Sequence, residues 1–173
     1  VPKTDNDGAI QDGAAISIVN RTGYKGLGTV TVSGGKFTAN AGNSAIKAYN
    51  WANNNVAAFT EKDKVSVSGG TFSSPVPEDL CADGFIPTKN ADGTYSVKEG
   101  KYVASIGDTK YETLQAAVDA ATNGQTVTLI ADVTENLIIA AEKNMILDLN
   151  GHTLSGGTTA GKAALTNYGE LTI

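Results

Sequence analysis

Thr29-Val-Thr-Val-Ser-Gly-Gly-Lys-Phe37 returns 35 residues later as Lys64-Val-Ser-Val-Ser-Gly-Gly-Thr-Phe72. Such self-similarity marks a stacked-repeat architecture, in which each short unit buries its apolar face against its neighbour. Upstream stand Ala15-Ile-Ser-Ile-Val-Asn20 and Ala45-Ile-Lys-Ala-Tyr-Asn50. Ala164-Leu-Thr-Asn-Tyr-Gly-Glu-Leu-Thr-Ile173 echoes both phrases with a shorter connection. One unit therefore reads as a short strand, a polar turn and a second short strand, followed in the two earlier copies by Gly-Gly. Alternation sends Val30, Val32, Val65 and Val67 inward, and Thr31 and Ser66 outward. The Gly-Gly pairs suit the positive φ of a tight corner. Asn20 and Asn50 fall at equivalent corners, where stacked amides could bond between coils. Coils stacked in this way give parallel sheets without crossover helices; a β-sandwich with unusual turns is the alternative.

Composition agrees with a strand-rich fold and narrows the function. Gly, Asn, Thr and Ser supply 64 of the 173 residues, which favours strands and tight turns. Only 18% of residues are charged, too few for a disordered chain to be expected. The net charge is −5, Arg21 is the only arginine, and the lysines are scattered. A nucleic-acid partner, which demands a basic stripe, is not expected. No apolar run approaches the roughly 20 residues of a membrane span, and no signal-peptide pattern is present. Cys81 is the single cysteine, so no internal disulfide forms.

The grammar changes twice along the chain. Residues 1–76 read as the C-terminal coils of one solenoid. Residues 77–99 read as a hairpin and linker: three of the four prolines cluster around here, and Asn90-Ala-Asp-Gly93 supplies a glycine-closed turn, with Lys98-Glu-Gly100 as the linker. Residues 100–173 read as the N-terminal cap and first coils of a second solenoid. Within them Thr113 to Thr122 is the one good helix, its Leu114, Ala117, Val118 and Ala121 forming a single apolar stripe. Thr113 is its N-cap and Asn123-Gly124 its left-handed stop. Strands are expected at Tyr102–Ile106, Thr126–Ile130, Leu137–Ala140 and Met145–Leu149, with the helix covering the solenoid's open end.

The run Tyr111-Glu-Thr-Leu-Gln-Ala-Ala-Val-Asp-Ala-Ala-Thr-Asn-Gly-Gln-Thr-Val-Thr-Leu-Ile-Ala-Asp-Val133, followed by Met145-Ile-Leu-Asp-Leu-Asn-Gly-His-Thr-Leu154, resembles the start of pectate-lyase-like right-handed parallel β-helix domains. Val67-Ser-Gly-Gly-Thr-Phe-Ser-Ser-Pro-Val76, with Cys81-Ala-Asp-Gly-Phe85 and Asn90-Ala-Asp-Gly-Thr-Tyr-Ser-Val97, resembles the ending of such domains in large secreted surface proteins of gut Firmicutes. The resemblance implies an all-β fold of two partial right-handed parallel β-helices joined by a hairpin, located outside the cell or at its surface. It further implies a stretch straddling two tandem repeats, with exposed sheet edges open to head-to-tail association. Surface proteins of this kind include immunoglobulin-binding, superantigen-like members, so a non-enzymatic module that binds a host immunoglobulin variable region is the most concrete function implied; a carbohydrate-binding or polysaccharide-degrading β-helix with a glycan as partner, or a structural spacer of a surface adhesin, is the alternative.

The residues offer little for catalysis. Lyases of this fold use a basic residue with carboxylate-bound calcium, and hydrolases use clustered carboxylates. Here the carboxylates are dispersed, Arg21 reads as a solvated turn residue, and Asp148 reads as a turn cap. No catalytic residue, metal site or cofactor is expected: His152 is the only histidine, and Asp5-Asn-Asp-Gly8 lacks the downstream glutamate of a calcium loop. The longest insertion, Tyr49 to Asp63, carries the only tryptophan. Its Tyr49, Trp51, Asn53, Asn54, Asn55 and Phe59 are the candidate binding residues, since insertions project from one face and aromatics flanked by amides suit protein surfaces or sugar rings. The competing reading folds Trp51 and Phe59 back onto the coil's side.

Overall fold

The computed structural model describes residues 3–4, 10–11, 13–52 and 55–173. Asp5 and Asp7, weighed above as part of a calcium loop, lie outside the described residues. The fold is all-β, with 45% of residues in strands, 8% helical and a single α-helix. The chain divides into two compact units, Val1–Gly100 and Lys101–Ile173.

In the first unit the strands are β1 (Lys3–Thr4), β2 (Ile10–Gln11), β3 (Ile16–Arg21), β4 (Val30–Phe37), β5 (Ile46–Ala52), β6 (Asn55–Ala57), β7 (Val65–Phe72), β8 (Phe85–Lys89) and β9 (Tyr95–Glu99). The repeated phrases lie directly on one another. β3 pairs parallel with β5 from Ile16↔Ile46 to Arg21↔Trp51, and β4 pairs parallel with β7 from Val30↔Val65 to Phe37↔Phe72. Like residues stack on like, so Val32, Val65, Val67 and Phe72 join Ile18 and Ile46 in one core, while Thr31 stays exposed.

The Gly-Gly pairs sit inside β4 and β7 rather than at a corner between sheets, and the parallel register shifts beside them. Only the second glycine of each pair has positive φ, 104° at Gly35 and 110° at Gly70. The reason is the pair of rings that follows. Phe37 and Phe72 stack with centroids 5.1 Å apart, and a Cβ on Gly70 would stand 3.1 Å from the Phe72 ring and 3.3 Å from that of Phe37. Asn20 and Asn50 are in register, but they lie within strands, and the Asn50 amide donates to Thr60 Oγ1 at 2.8 Å.

The hairpin belongs to this unit's sheet. β9 pairs antiparallel with the end of β7 through Thr71↔Ser96 and Phe72↔Tyr95, and β8 forms the outer strand. Lys98 and Glu99 are therefore strand residues rather than linker. The turn is held by Asp92, whose carboxylate accepts from both the backbone N–H and the hydroxyl of Thr94; those hydrogen bonds lower its pKa.

In the second unit the strands are β10 (Ala104–Ile106), β11 (Thr109–Tyr111), β12 (Gln125–Leu129), β13 (Val133–Thr134), β14 (Leu137–Ile139), β15 (Asn144–Asp148), β16 (Leu154–Ser155), β17 (Leu165–Asn167) and β18 (Glu170–Thr172), with helix α1 (Leu114–Ala120) before β12. Three parallel ladders run β12–β15–β18, β13–β16 and β14–β17. Their inward residues, among them Val127, Leu129, Leu137, Ile139, Met145 and Leu147, make the core, which the helix stripe Leu114, Ala117, Val118 and Ala121 completes. Asp148 caps a turn as expected, accepting from Asn150 N–H at 2.8 Å.

The helix is shorter than its sequence pattern. Thr113 caps it, accepting from Ala116 N–H, but it ends at Ala120 because Ala121 is already extended. Gly124, with φ 78°, serves the turn into β12 instead of stopping the helix. Side chains from later in the chain hold both helix ends. The Glu135 carboxylate accepts from the backbone N–H groups of Leu114 and Gln115 at 3.0 and 3.1 Å, and Lys143 Nζ donates to the carbonyls of Asp119 and Ala121 at 2.8 and 2.7 Å. Anion at the first turn and cation at the last both complement the helix dipole.

The described strands sort into six separate sheets of two to five strands. We expect Gly70→Ala to lower stability by about 2 kcal/mol, from the left-handed φ and the ring contacts together. Gly34→Ala, where a Cβ meets nothing within 4 Å, should stay within about 1 kcal/mol. Urea unfolding of the two variants checks this.

Candidate functional site

The candidate binding residues do not share one surface. Asn53 and Asn54 lie outside the described residues. Tyr49 and Trp51 are interior, only 2% and 5% exposed, and pack with Val19 in a small cluster of their own. Phe59 is partly buried against the first unit's main core. Asn55 is exposed in β6. For Trp51 and Phe59 the folded-back reading is the one the structure supports.

The cause is local. β5 runs on through Ala52, so Tyr49 and Trp51 are strand residues two apart on one face, while Ile46 and Ala48 alternate onto the other and meet the main core. The Lys47 ammonium sits 5.5 Å from the centre of the Tyr49 ring. Removing the larger ring therefore opens the interior. Trp51→Ala should destabilise the first unit by about 3–5 kcal/mol, a loss that thermal or urea unfolding reads directly.

What the sheet does present is the margin of this cluster. Arg21, Trp51 and Val56 occupy one row across β3, β5 and β6, about 10 Å end to end at the usual strand spacing. The middle residue is buried, and Val56 is 53% exposed. Just past β3, Tyr24 is 64% exposed, with the Arg21 guanidinium carbon 4.4 Å from its ring centroid. An exposed Tyr against an Arg, with an exposed Val two strands away in the row of that Arg, is the residue chemistry that anchors protein contacts. Sequence reasoning took Arg21 for a solvated turn residue. The missed signal was that Arg21 continues the Ile16 alternation and faces the same side as Trp51.

A second feature is an open polar groove of about 450 Å³ lined by Lys62, Asp63, Ser66, Asp79, Cys81 and Asp83. Lys62 Nζ and Asp79 Oδ2 are 2.7 Å apart with both side chains about half exposed, an ion pair of small net worth. The Cys81 thiol lies 3.7 Å from the Pro77 carbonyl oxygen. Burial, then the negative charges of Glu78 and Asp79, push its pKa up to about 11, so the thiol is protonated and unreactive at neutral pH. Among the described residues no group of three or more His, Cys, Asp or Glu is placed to hold a metal ion, and no helix is long and apolar enough to cross a membrane.

No family model, curated protein or solved structure matches this chain.

The raised thiol pKa has a measurable consequence. Alkylation of native Cys81 by iodoacetamide should be slow at pH 8 and climb as pH rises toward 11, whereas the urea-unfolded chain reacts with the ordinary thiol profile. In linkage terms, the stability that the protonated thiol contributes is fully present below pH 9 and is lost between about pH 9 and 11, where the unfolded chain ionises first.

Proposed function

We propose that the chain is a non-enzymatic binding module of a repetitive bacterial surface protein, secreted or held at the cell surface. In this reading its two units are partial right-handed parallel β-helices, and it engages a host protein, most concretely an immunoglobulin variable region. The architecture is supported by the in-register parallel pairing of repeated phrases, β3 on β5 and β4 on β7. Binding is supported by one observation above the others: the Arg21–Tyr24 pair and exposed Val56 at the two margins of a sheet whose own aromatics are committed to the interior. The choice of antibody rests on the resemblance to immunoglobulin-binding surface proteins.

A glycan ligand is the second reading. The groove beside Cys81 favours it, because carboxylates and an ammonium at its wall suit hydroxyl-rich ligands.

The test is capture of polyclonal immunoglobulin and of a glycan array by the immobilised chain, with variants alongside. The double variant Tyr24→Ala, Val56→Asp should weaken antibody binding about 30-fold, the effect of losing roughly 2 kcal/mol of anchor contacts, with the melting temperature unchanged. Asp79→Asn should leave antibody binding intact. Glycan capture lost on Asp79→Asn would install the second reading, and capture of nothing would overturn both.

A further inference from the structure

Backbone pairing lapses in the connection between β3 and β4. Thr22 N–H donates to the Trp51 carbonyl at 3.0 Å, and Tyr24 N–H reaches that of Arg21 only at 3.4 Å. From Lys25 to Gly28 no backbone group finds a partner among the described residues. Gly23, Gly26 and Gly28 stand in this stretch, and a Cβ on any of them would meet nothing within 4 Å. Lys25 and Gly26 are exposed, and Leu27 turns back against the main core. The result is an exposed, unpaired segment of small residues with one cation at its centre, the kind of segment that proteases nick.

The other lysines sit in backbone that is tied down. Lys36, Lys47, Lys89, Lys98 and Lys110 lie in paired strands. Lys62 and Lys64 belong to a turn closed by Lys64 N–H on Glu61 and Val65 N–H on Lys62. Lys162 is exposed, but its N–H donates to Thr159 at 3.2 Å, and the carbonyl of Ala163 accepts from the Asn136 amide at 2.9 Å. Lys101 is flanked by Gly100 N–H on Gly84 and Val103 N–H on Tyr111. A protease must draw several residues into extended form in its cleft, so each of these sites requires hydrogen bonds to break first, whereas Lys25–Gly28 does not.

We propose that the Lys25–Gly26 bond is a processing site for a serine protease that selects a basic side chain, and that the cut chain keeps its fold. Such a protease holds the lysine ammonium in a carboxylate-bearing pocket. Water adds to the Lys25 carbonyl carbon, the bond to the Gly26 nitrogen breaks, and the products are a Lys25 carboxylate and a Gly26 amine. The severed N-terminal piece stays because it is gripped along β3. Six residues pair with β5, from Ile16↔Ile46 to Arg21↔Trp51, Gly13 C=O accepts from Asn40 N–H, and Thr22 N–H stays on Trp51. β4 is held independently by β7. The cut releases Tyr24 from its tether to β4, and the site exists whether or not the Tyr24–Val56 margin binds a partner.

Brief digestion of the native chain with a low proportion of trypsin, followed by intact mass and N-terminal sequencing, tests this. A fragment beginning Gly26-Leu27-Gly28 should appear before any that begins after Lys101 or Lys162. Lys25→Gln should abolish that fragment, and Lys162→Gln should leave it unchanged. The rate should stay flat through low urea, since opening the connection alone exposes little surface. The nicked chain should elute from size exclusion as one species and come apart only in concentrated urea. A first cut after Lys101 or Lys162, a rate that climbs with urea from the outset, or fragments that separate in buffer would each overturn the proposal.

Discussion

Everything in the second unit depends on terminating a parallel ladder. Strands that pair in register satisfy their backbone groups only between neighbours, so the first strand of each ladder leaves a row of N–H and C=O groups unanswered. The chain answers two of those rows differently. The β12 edge is closed by backbone, through antiparallel β10. The β14 edge is closed by one side chain: the Gln115 carboxamide accepts from Ile138 N–H and donates to Ile138 C=O, both at 2.9 Å. A single amide thus does the pairing of a strand residue. It stands in position because Thr113, Glu135 and Lys143 hold a seven-residue helix that would be marginal alone.

The first unit meets a related constraint through identity of sequence. Two paired strands that carry the same phrase put like side chains in columns, and columns tolerate only what packs on itself. Valine on valine does so at every inward position. Phenylalanine on phenylalanine does so only if the backbone two residues earlier yields space, which is why the second glycine of each pair adopts a conformation that other residues avoid. Gly69, first of the second pair, has a different duty: a Cβ there would meet the carbonyl oxygen of Ser33 at 2.5 Å, whereas one on Gly34 meets nothing within 4 Å. The repeated Gly-Gly therefore reports close stacking within a strand pair, with the register slip beside it as the geometric result.

Strand faces, repeat pairing and the helix stripe were legible because each follows from a short period, two for strands and about 3.6 for the helix, acting on apolar residues. All four stripe residues of the helix are buried. The boundaries were less legible, since the three ladder strands after the helix end one residue earlier than their apolar runs suggest, and Ala121 leaves the helix although its side chain continues the stripe. The candidate site was the least legible part. Tyr49 and Trp51 belong to a strand with both faces covered, and the second face carries no repeat signal between the two copies that pair, since Val19 stands against Tyr49 and Arg21 against Trp51. Nor does local sequence reveal that Glu135 and Lys143 act on a helix more than a dozen residues earlier. Such partners are known only once the chain has folded.

The burial of Trp51 bears on which positions of these paired strands are free to vary. Inward positions are committed to the columns, and outward positions on paired strands are mostly Thr, Ser and Lys, whose spacing is dictated by the ladder. Chemistry that differs from one copy of the phrase to the next must then come from the connections and from strands added at the margin. Tyr24 lies in the connection between β3 and β4, and Val56 in β6, which pairs only with β5. Both are additions to the repeat and not part of it. The connection between corresponding strands changes in length among the three copies of the phrase, while the pairing positions on either side are preserved. A connection can be rewritten without disturbing a single ladder hydrogen bond, so the ladder supplies rigidity, its margin carries the side chains free to vary, and Arg21, Trp51 and Val56 stand in one row across it.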